Sequence, residues 1–254
     1  MSVLLYQDYV HNNVILYHRL CADFGVDYVK LCDADDIIDN GALEKAHLFV
    51  MPGGADLYYC EKLGGAGNKA IRTFVEKGGT YLGICAGAYY GCAAIAWAKD
   101  EKTPICGARE LGFYKGMAIG PIYEFIEEGD FYKSWDAVVT VEGEEGGYPA
   151  FYSGGPIFEG DKDAVILARY RHLPGQPAAI VECRSGAGKA ILCSPHIEYD
   201  ALSYRKTIYK HGNASYKWQL DILEKMKKAD EKQEALWHLV LKKAMSDKKQ
   251  DHET

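Results

Sequence analysis

The stretch "TYLGICAGAYYGCAAIAW", residues 80 to 97, constrains the fold more than any other part of the chain. Up to Ile84 it has the unbroken apolar character of a buried strand, and from Ala86 onward small residues dominate and predict a helix. Cys85 stands at the join, with Gly83 and Gly87 two residues to either side. A strand turning this sharply into a helix holds its turn residue in a strained conformation above the sheet. Small neighbours are needed there because larger side chains would clash. The helix start behind Cys85 offers free backbone N–H groups and a partial positive charge, which favour a thiolate. The stretch also suits one more buried cysteine ahead of a glycine-punctuated helix, so taken alone it leaves two readings.

The segments before it set the fold class. "VLLY", "DYVKLC" and "HLFVMPGG" are strand-like, and "NNVILYHRLCADFG" and "NKAIRTFVEKGG" are helix-like and closed by glycine. "ADDIIDNGALEKA" reads as short helical turns. Strands alternating with helices predict an α/β fold with a mainly parallel central sheet and right-handed crossovers. From about Pro104 the pattern changes to strand-like runs between Gly and Pro turns: "AVVTVE", "PAFYSGG", "AVILARY", "AAIVEC" and "KAILCSPH". This is extra β structure added to the first sheet. No linker separates the two parts, so residues 1–212 are expected to form one domain. Residues 213–254 are expected to be a helical extension, since Trp218, Ile222, Met226, Trp237, Val240 and Ala244 recur near helical spacing. Such a helix either packs on the domain or serves homo-oligomerisation.

Composition narrows the partners. The net charge of -7 over 254 residues argues against a nucleic-acid backbone or an anionic membrane. No stretch approaches the length of a membrane span, and the N-terminus lacks the basic lead of a signal peptide. None of the eight cysteines forms a metal-binding or redox pair at two-residue spacing. They read as reduced, mostly buried thiols of a cytoplasmic protein, with neither metal nor organic cofactor expected. Nineteen tyrosines suggest many half-wet surfaces.

A base for Cys85 is found late in the chain. "ILCSPHIEYD" ends an apolar strand with His196 and Glu198 two residues apart. In extended chain those side chains point the same way, so the carboxylate can orient the imidazole. The other seven histidines lack a carboxylate at that spacing off a strand end, although a histidine in a Pro turn is also common without any such role. Gly53 and Gly54 follow an earlier strand in "VMPGGADLYY", and their N–H groups, with that of Ala86, suit an oxyanion site. A plain glycine turn is the alternative.

The order of PGG, GICAG and H-x-E resembles the class I glutamine amidotransferase-like fold, a flavodoxin-like sandwich. More narrowly, "MPGGADLYYCEKLGGAGNKAIRTFVEKGGTYLGICAGAYYG", "GARELGFYKGMAIGP", "FYSGGPIF" and "PGQPAAIVECRSGAGKAILCSPHIEYD" resemble the N-terminal domain of eukaryotic-type biotin-protein ligases. The resemblance covers residues 1 to about 200. It implies that Cys85, His196 and Glu198 are nucleophile, base and orienting group, and that Gly53 and Gly54 form the oxyanion loop. A biotin-adenylating domain and an ammonia-receiving synthetase domain have no counterpart in the remaining sequence. Where glutaminases carry a bulky apolar residue after the elbow cysteine, this chain has Ala86, Ala88 and Tyr89.

Two functions follow. The first is a thiol-dependent amidohydrolase or amidotransferase-like protein acting on a small amide or related carbonyl. The second is a non-catalytic metabolite-binding or regulatory module. The acidic "EGEEGG", residues 142–147, is read as a solvated loop or a lid. Arg109 and Glu110 are read as bordering the pocket, with an ion pair supporting its wall slightly favoured. Tyr58, Tyr89, Tyr90 and Tyr152 are divided between pocket lining and core.

Overall fold

The early strands alternate their side chains between two faces, and both faces are apolar. Leu4, Tyr6, Phe49, Met51 and Tyr81 fall in one buried cluster, while Val3, Leu5, Leu48, Val50, Leu82 and Ile84 fall in another. A sheet apolar on both faces must be covered on both by helices. The computed structural model shows this arrangement; it describes residues 2–8, 10, 13–125, 135–210 and 217–246.

In chain order the first elements are β1 (Val3–Tyr6), α1 (Asn13–Phe24), β2 (Val29–Cys32), α2 (Ala34–Ile38), β3 (Leu48–Met51), α3 (Asp56–Leu63), α4 (Ala66–Glu76), β4 (Thr80–Ile84) and α5 (Ala86–Tyr90). There follow β5 (Cys92–Trp97), β6 (Ile105–Ala108), β7 (Tyr114–Gly120), β8 (Asp136–Gly143), β9 (Gly146–Ser153), β10 (Ile157–Glu159), β11 (Val165–Tyr170), β12 (Ala178–Ser185) and β13 (Gly188–Cys193). The helices α6 (Ala201–Lys210), α7 (Lys217–Lys227) and α8 (Asp230–Met245) close the chain.

Five neighbouring strands, in the order β2-β1-β3-β4-β13, run parallel to one another. Their registers bring three exits level: Met51 lies opposite Gly83, and Ile84 opposite Cys193. The chain therefore leaves β3 toward Gly53, β4 toward Cys85 and β13 toward His196 at one edge of the sheet. The remaining strands extend the same sheet mostly by antiparallel pairing, as the change of pattern after Pro104 suggested.

On one face pack α3, α4 and α5, through Tyr59, Leu63, Ile71, Phe74, Val75 and Tyr90. The other face is covered by α1 and α8, through Leu16, Leu20, Leu236, Trp237, Val240 and Leu241. The C-terminal helix thus packs its apolar stripe onto the parallel strands. Trp237 Nε1 donates to Asp23 at 2.7 Å, and Arg19 lies 5.0 Å above the indole ring. A third cluster joins α6 and α7 to Phe151 and Tyr199.

Two local readings change. The helix beginning at Ala86 ends at Tyr90 rather than continuing to Trp97, and Cys92–Trp97 is strand β5. Its small residues are held there by two neighbours, β6 and β7, so tertiary pairing overrides a helix-like composition. The 142–147 segment is neither a free loop nor a lid but the turn of the β8–β9 hairpin, paired from Asp136–Ser153 to Gly143–Gly146. The tyrosines are less wet than expected: Tyr6, Tyr59, Tyr81, Tyr90, Tyr152, Tyr170 and Tyr204 are fully buried. Burial is tolerated because their hydroxyls find acceptors, as Tyr81 does on the Gly87 carbonyl at 2.7 Å.

Candidate active site

Cys85 takes φ 50° and ψ -105°, a conformation that side-chain-bearing residues rarely adopt. Its backbone N–H donates to the Cys193 carbonyl at 2.8 Å, tying the elbow to β13. The N–H of Gly87 donates to Pro52 at 3.1 Å, tying it to the end of β3. That close approach explains the glycine: a Cβ on Gly87 would lie 2.1 Å from the Met51 carbonyl oxygen. The N–H of Ala86, at the first position of α5, is left by the helical pattern without an intrahelical acceptor.

Gly53 is the meeting point of the site. A Cβ placed there would lie 2.6 Å from His196 Cε1 and 3.6 Å from the Cys85 Cβ. The α-carbon of the glycine loop is therefore packed against both the thiol-bearing residue and the imidazole. Gly54, at φ 152°, bridges to Val10 and turns the chain into α3. The loop is braced from below by Tyr59, whose hydroxyl contacts the carbonyls of Pro52 at 3.1 Å and Gly53 at 3.0 Å.

His196 is held from three sides. Its backbone N–H donates to Phe151 at 2.8 Å, its ring lies between Phe151 and Tyr199, and its Nδ1 is 2.8 Å from Glu198 Oε1. Burial pushes the imidazole pKa down, but the Glu198 charge, the proximity of Cys85 and the hydrogen bond to Glu198 outweigh it. The imidazole pKa is raised well above its ordinary value, favouring the protonated form. Glu198 is only 3% exposed, and its Oε2 has no partner among the described residues.

The structure thus brings together Cys85, His196, Glu198, Gly53, Gly54 and Ala86 at one sheet edge. It also adds groups that the sequence did not single out. Cys85 Sγ donates to the Ser153 carbonyl at 3.4 Å, and Ser153 Oγ donates to Asp136 at 2.9 Å. Ser153 lies in the "FYSGG" run, whose position beside the elbow depends on the long-range return of β9. Tyr59 sits on α3, a helix that the sequence reading does not assign, and faces Tyr90 of α5. Of the candidate lining residues, Tyr89, Tyr90 and Tyr152 are core, and Tyr58 is exposed. Arg109 does form an ion pair, but with Asp56 at 2.6 Å, a partner that the sequence reading does not name. Glu110 instead accepts from Gly65 N–H and Asn68 Nδ2, both at 2.9 Å.

All eight cysteines are free, with Cys32, Cys85, Cys92, Cys183 and Cys193 buried and Cys106 exposed. Among the described residues no group of three or more His, Cys, Asp or Glu side chains is arranged to hold a metal. No helix among them is long and apolar enough to cross a membrane.

This elbow at the carboxyl edge of a mainly parallel sheet, with a glycine loop beside it, places the fold in the class I glutamine amidotransferase-like group. Solved structures agree. A Thermotoga maritima glutamine amidotransferase aligns at TM-score 0.60 and 15% identity over 97% of this chain and 99% of that one. Another glutamine amidotransferase structure aligns at 0.55 and 19%, covering 83% of this chain and all of the other. The chain belongs to the biotin-protein ligase N-terminal family, whose model matches residues 11–254. An uncharacterised protein of Chlamydia muridarum is 40% identical over 163 residues, 61% of this chain and 62% of that protein. A biotin-protein ligase of Schizosaccharomyces pombe is 32% identical over 182 residues, 65% of this chain but only 28% of the ligase.

Proposed function

We propose that this chain is a thiol-dependent amidohydrolase or amidotransferase-like protein acting on a small amide or related carbonyl. The observation that carries the reading is the packing of Gly53 against both Cys85 and His196, with His196 clamped to Glu198. The Cys85 sulfur attacks the carbonyl carbon while its proton resides on His196 Nε2, the protonated form that the raised imidazole pKa favours. Glu198 holds Nδ1–H and balances the imidazolium charge. The oxyanion develops beside the N–H groups of Ala86 and the Gly53–Gly54 loop. Collapse breaks the C–N bond, His196 gives its proton to the departing nitrogen, and a thioester remains on Cys85. Water, deprotonated by His196, attacks that thioester and releases the acid and the thiol. No cofactor enters these steps, and free cysteines suit a reducing cytoplasmic setting.

A second reading is a non-catalytic metabolite-binding or regulatory module. One contact favours it: the Cys85 sulfur donates to the Ser153 carbonyl, as a resting neutral thiol does. A thermal-shift screen with metabolite mixtures on wild type and Cys85→Ala, followed by product analysis on each hit, tests the choice. The enzyme reading expects a stabilising amide that wild type consumes and Cys85→Ala only binds. A ligand that stabilises both proteins equally and is never consumed sinks it.

A further inference from the structure

Strand β9 touches both Cys85 and His196 with carbonyls of its own. Among the described residues β9 pairs with β8 and with no other strand. In an antiparallel pair every second residue turns its carbonyl away from the partner strand. Phe151 and Ser153, two residues apart, use theirs on the site. The Phe151 carbonyl accepts from the His196 backbone N–H at 2.8 Å, and the Ser153 carbonyl accepts from Cys85 Sγ at 3.4 Å.

The Ser153 carbonyl is held in place through its own side chain. Ser153 lies directly opposite Asp136 in the β8–β9 register, so the two side chains share one face of the sheet. Ser153 Oγ donates to Asp136 Oδ1 at 2.9 Å, and Tyr204 of α6 donates to Asp136 Oδ2 at 3.3 Å. Tyr204 is fully buried, with its ring 5.0 Å from that of Phe151. On the other side of Ser153, Gly154 turns away at φ 76° and its carbonyl accepts from the Tyr89 hydroxyl at 3.0 Å. The end of β9 is therefore pinned both before and after the carbonyl that meets the sulfur.

Two neighbours of the sulfur pull its proton in opposite directions. The imidazole of His196, backed by Glu198, draws the proton to Nε2. A carbonyl oxygen carries a partial negative charge, so it accepts from S–H and disfavours the thiolate. Tyr59 of α3, Tyr89 of α5, Tyr152 of β9 and Tyr170 of β11 also lie within electrostatic reach of Cys85. Burial pushes their hydroxyls above the ordinary range, so near neutrality they stay uncharged. The contest is between His196 and the Ser153 carbonyl.

We propose that the tie from Ser153 to Asp136 positions the Ser153 carbonyl as a resting acceptor that keeps the proton on the Cys85 sulfur, and that Cys85 is armed when that proton leaves the carbonyl for His196 Nε2. The consequence for reactivity rests on the thiol reading; the held thiol itself is separable from it.

The test follows the Cys85 proton in two ways on the full chain. One is the pH profile of Cys85 alkylation, read by peptide mapping. The other is its S–H stretching band in infrared difference spectra against Cys85→Ala. Ser153→Ala removes the tie but keeps the Asp136 charge, and Ser153→Thr restores a hydroxyl. Loss of one hydrogen bond to the thiol predicts that Ser153→Ala lowers the apparent Cys85 pKa by roughly half a unit to one unit. Alkylation below that pKa should quicken about threefold, since a less basic thiolate is also a weaker nucleophile. Ser153→Thr should bring both back toward wild type. In wild type at neutral pH the Cys85 S–H band should be present at the low frequency of a hydrogen-bonded thiol, and in Ser153→Ala it should weaken or move. An unchanged pH profile in Ser153→Ala, or a change that Ser153→Thr does not reverse, overturns the tie. So does an effect seen in Asp136→Asn but not in Ser153→Ala, since Asp136 would then act through its charge. If Cys85 reacts no faster than the other buried thiols, the thiol reading fails and the band alone decides. No Cys85 S–H band in wild type, or one that Ser153→Ala leaves unmoved, overturns the proposal.

Discussion

The two ends of the parallel strands are built on opposite terms. At the amino ends an open cleft of about 1230 Å³ is lined by Thr80, Lys189, His47, Lys69 and the end of α8. Its central polar groups are fully engaged: Lys189 Nζ donates to Lys243 O, Ser246 O and Ser246 Oγ, and Thr80 Oγ1 donates to Ala244 O at 3.0 Å. At the carboxyl ends the site is tight rather than open, with Cys85 only 7% exposed. Yet that end holds the strained backbone of Cys85 and two buried polar atoms without partners among the described residues, Glu198 Oε2 and Arg109 Nη2. Cavity size and chemistry point to different ends, and the chemistry is the better guide. A lysine that closes a helix terminus is occupied, whereas strain and orphaned polar atoms persist where a ligand completes them.

The comparison can be broken by substitution. The largest effect should come from Gly87→Ala, because the new Cβ would meet the backbone oxygen of Met51 rather than a movable side chain. Urea denaturation should show a loss of about 3 kcal/mol, and a loss well under 1 kcal/mol would mean that the elbow is looser than described. At the other end, Lys189→Met leaves three acceptors at the end of α8 without their ammonium, and should cost about 2 kcal/mol. The rate of Cys85 alkylation should not change in that variant. If it does, the two ends are coupled and the contrast between them is wrong.

A smaller effect separates strain from packing. Cys85→Gly should be more stable than Cys85→Ala by about 1 kcal/mol, since only glycine relaxes at φ 50°. The reverse order in denaturation would remove strain from the account. The smallest effect is a pH dependence. The His196 pKa is raised, so its interaction with Glu198 adds stability that is fully present below about 6.5 and is lost as pH rises through the folded-state value. The stability gap between wild type and Glu198→Gln should therefore narrow toward alkaline pH. Imidazole resonances should titrate above the ordinary histidine range in wild type and lower in the variant.

Much of the candidate site was legible because its signals are local. Both-sided burial of "LFVM" and "TYLGI", the glycine spacing around Cys85, and the two-residue step from His196 to Glu198 are visible in short windows. Strand β5 and the contacts of Ser153 and Arg109 depend instead on partners far away in the chain. Strand β5 is composed of residues that suit a helix and is a strand because β6 and β7 flank it. Ser153 reaches the Cys85 sulfur only through the pairing of β9 with β8, and Arg109 finds Asp56 across 53 residues. Spacing arguments cannot see such contacts.

The most direct test of the central claim is a competition among the eight thiols at neutral pH. Limiting iodoacetamide and peptide mapping should modify Cys85 first, although it is nearly buried and Cys106 is exposed. Reactivity would then follow the chemistry of the elbow and His196 rather than access. Labelling that begins at Cys106 and leaves Cys85 among the slow, buried thiols would contradict the account.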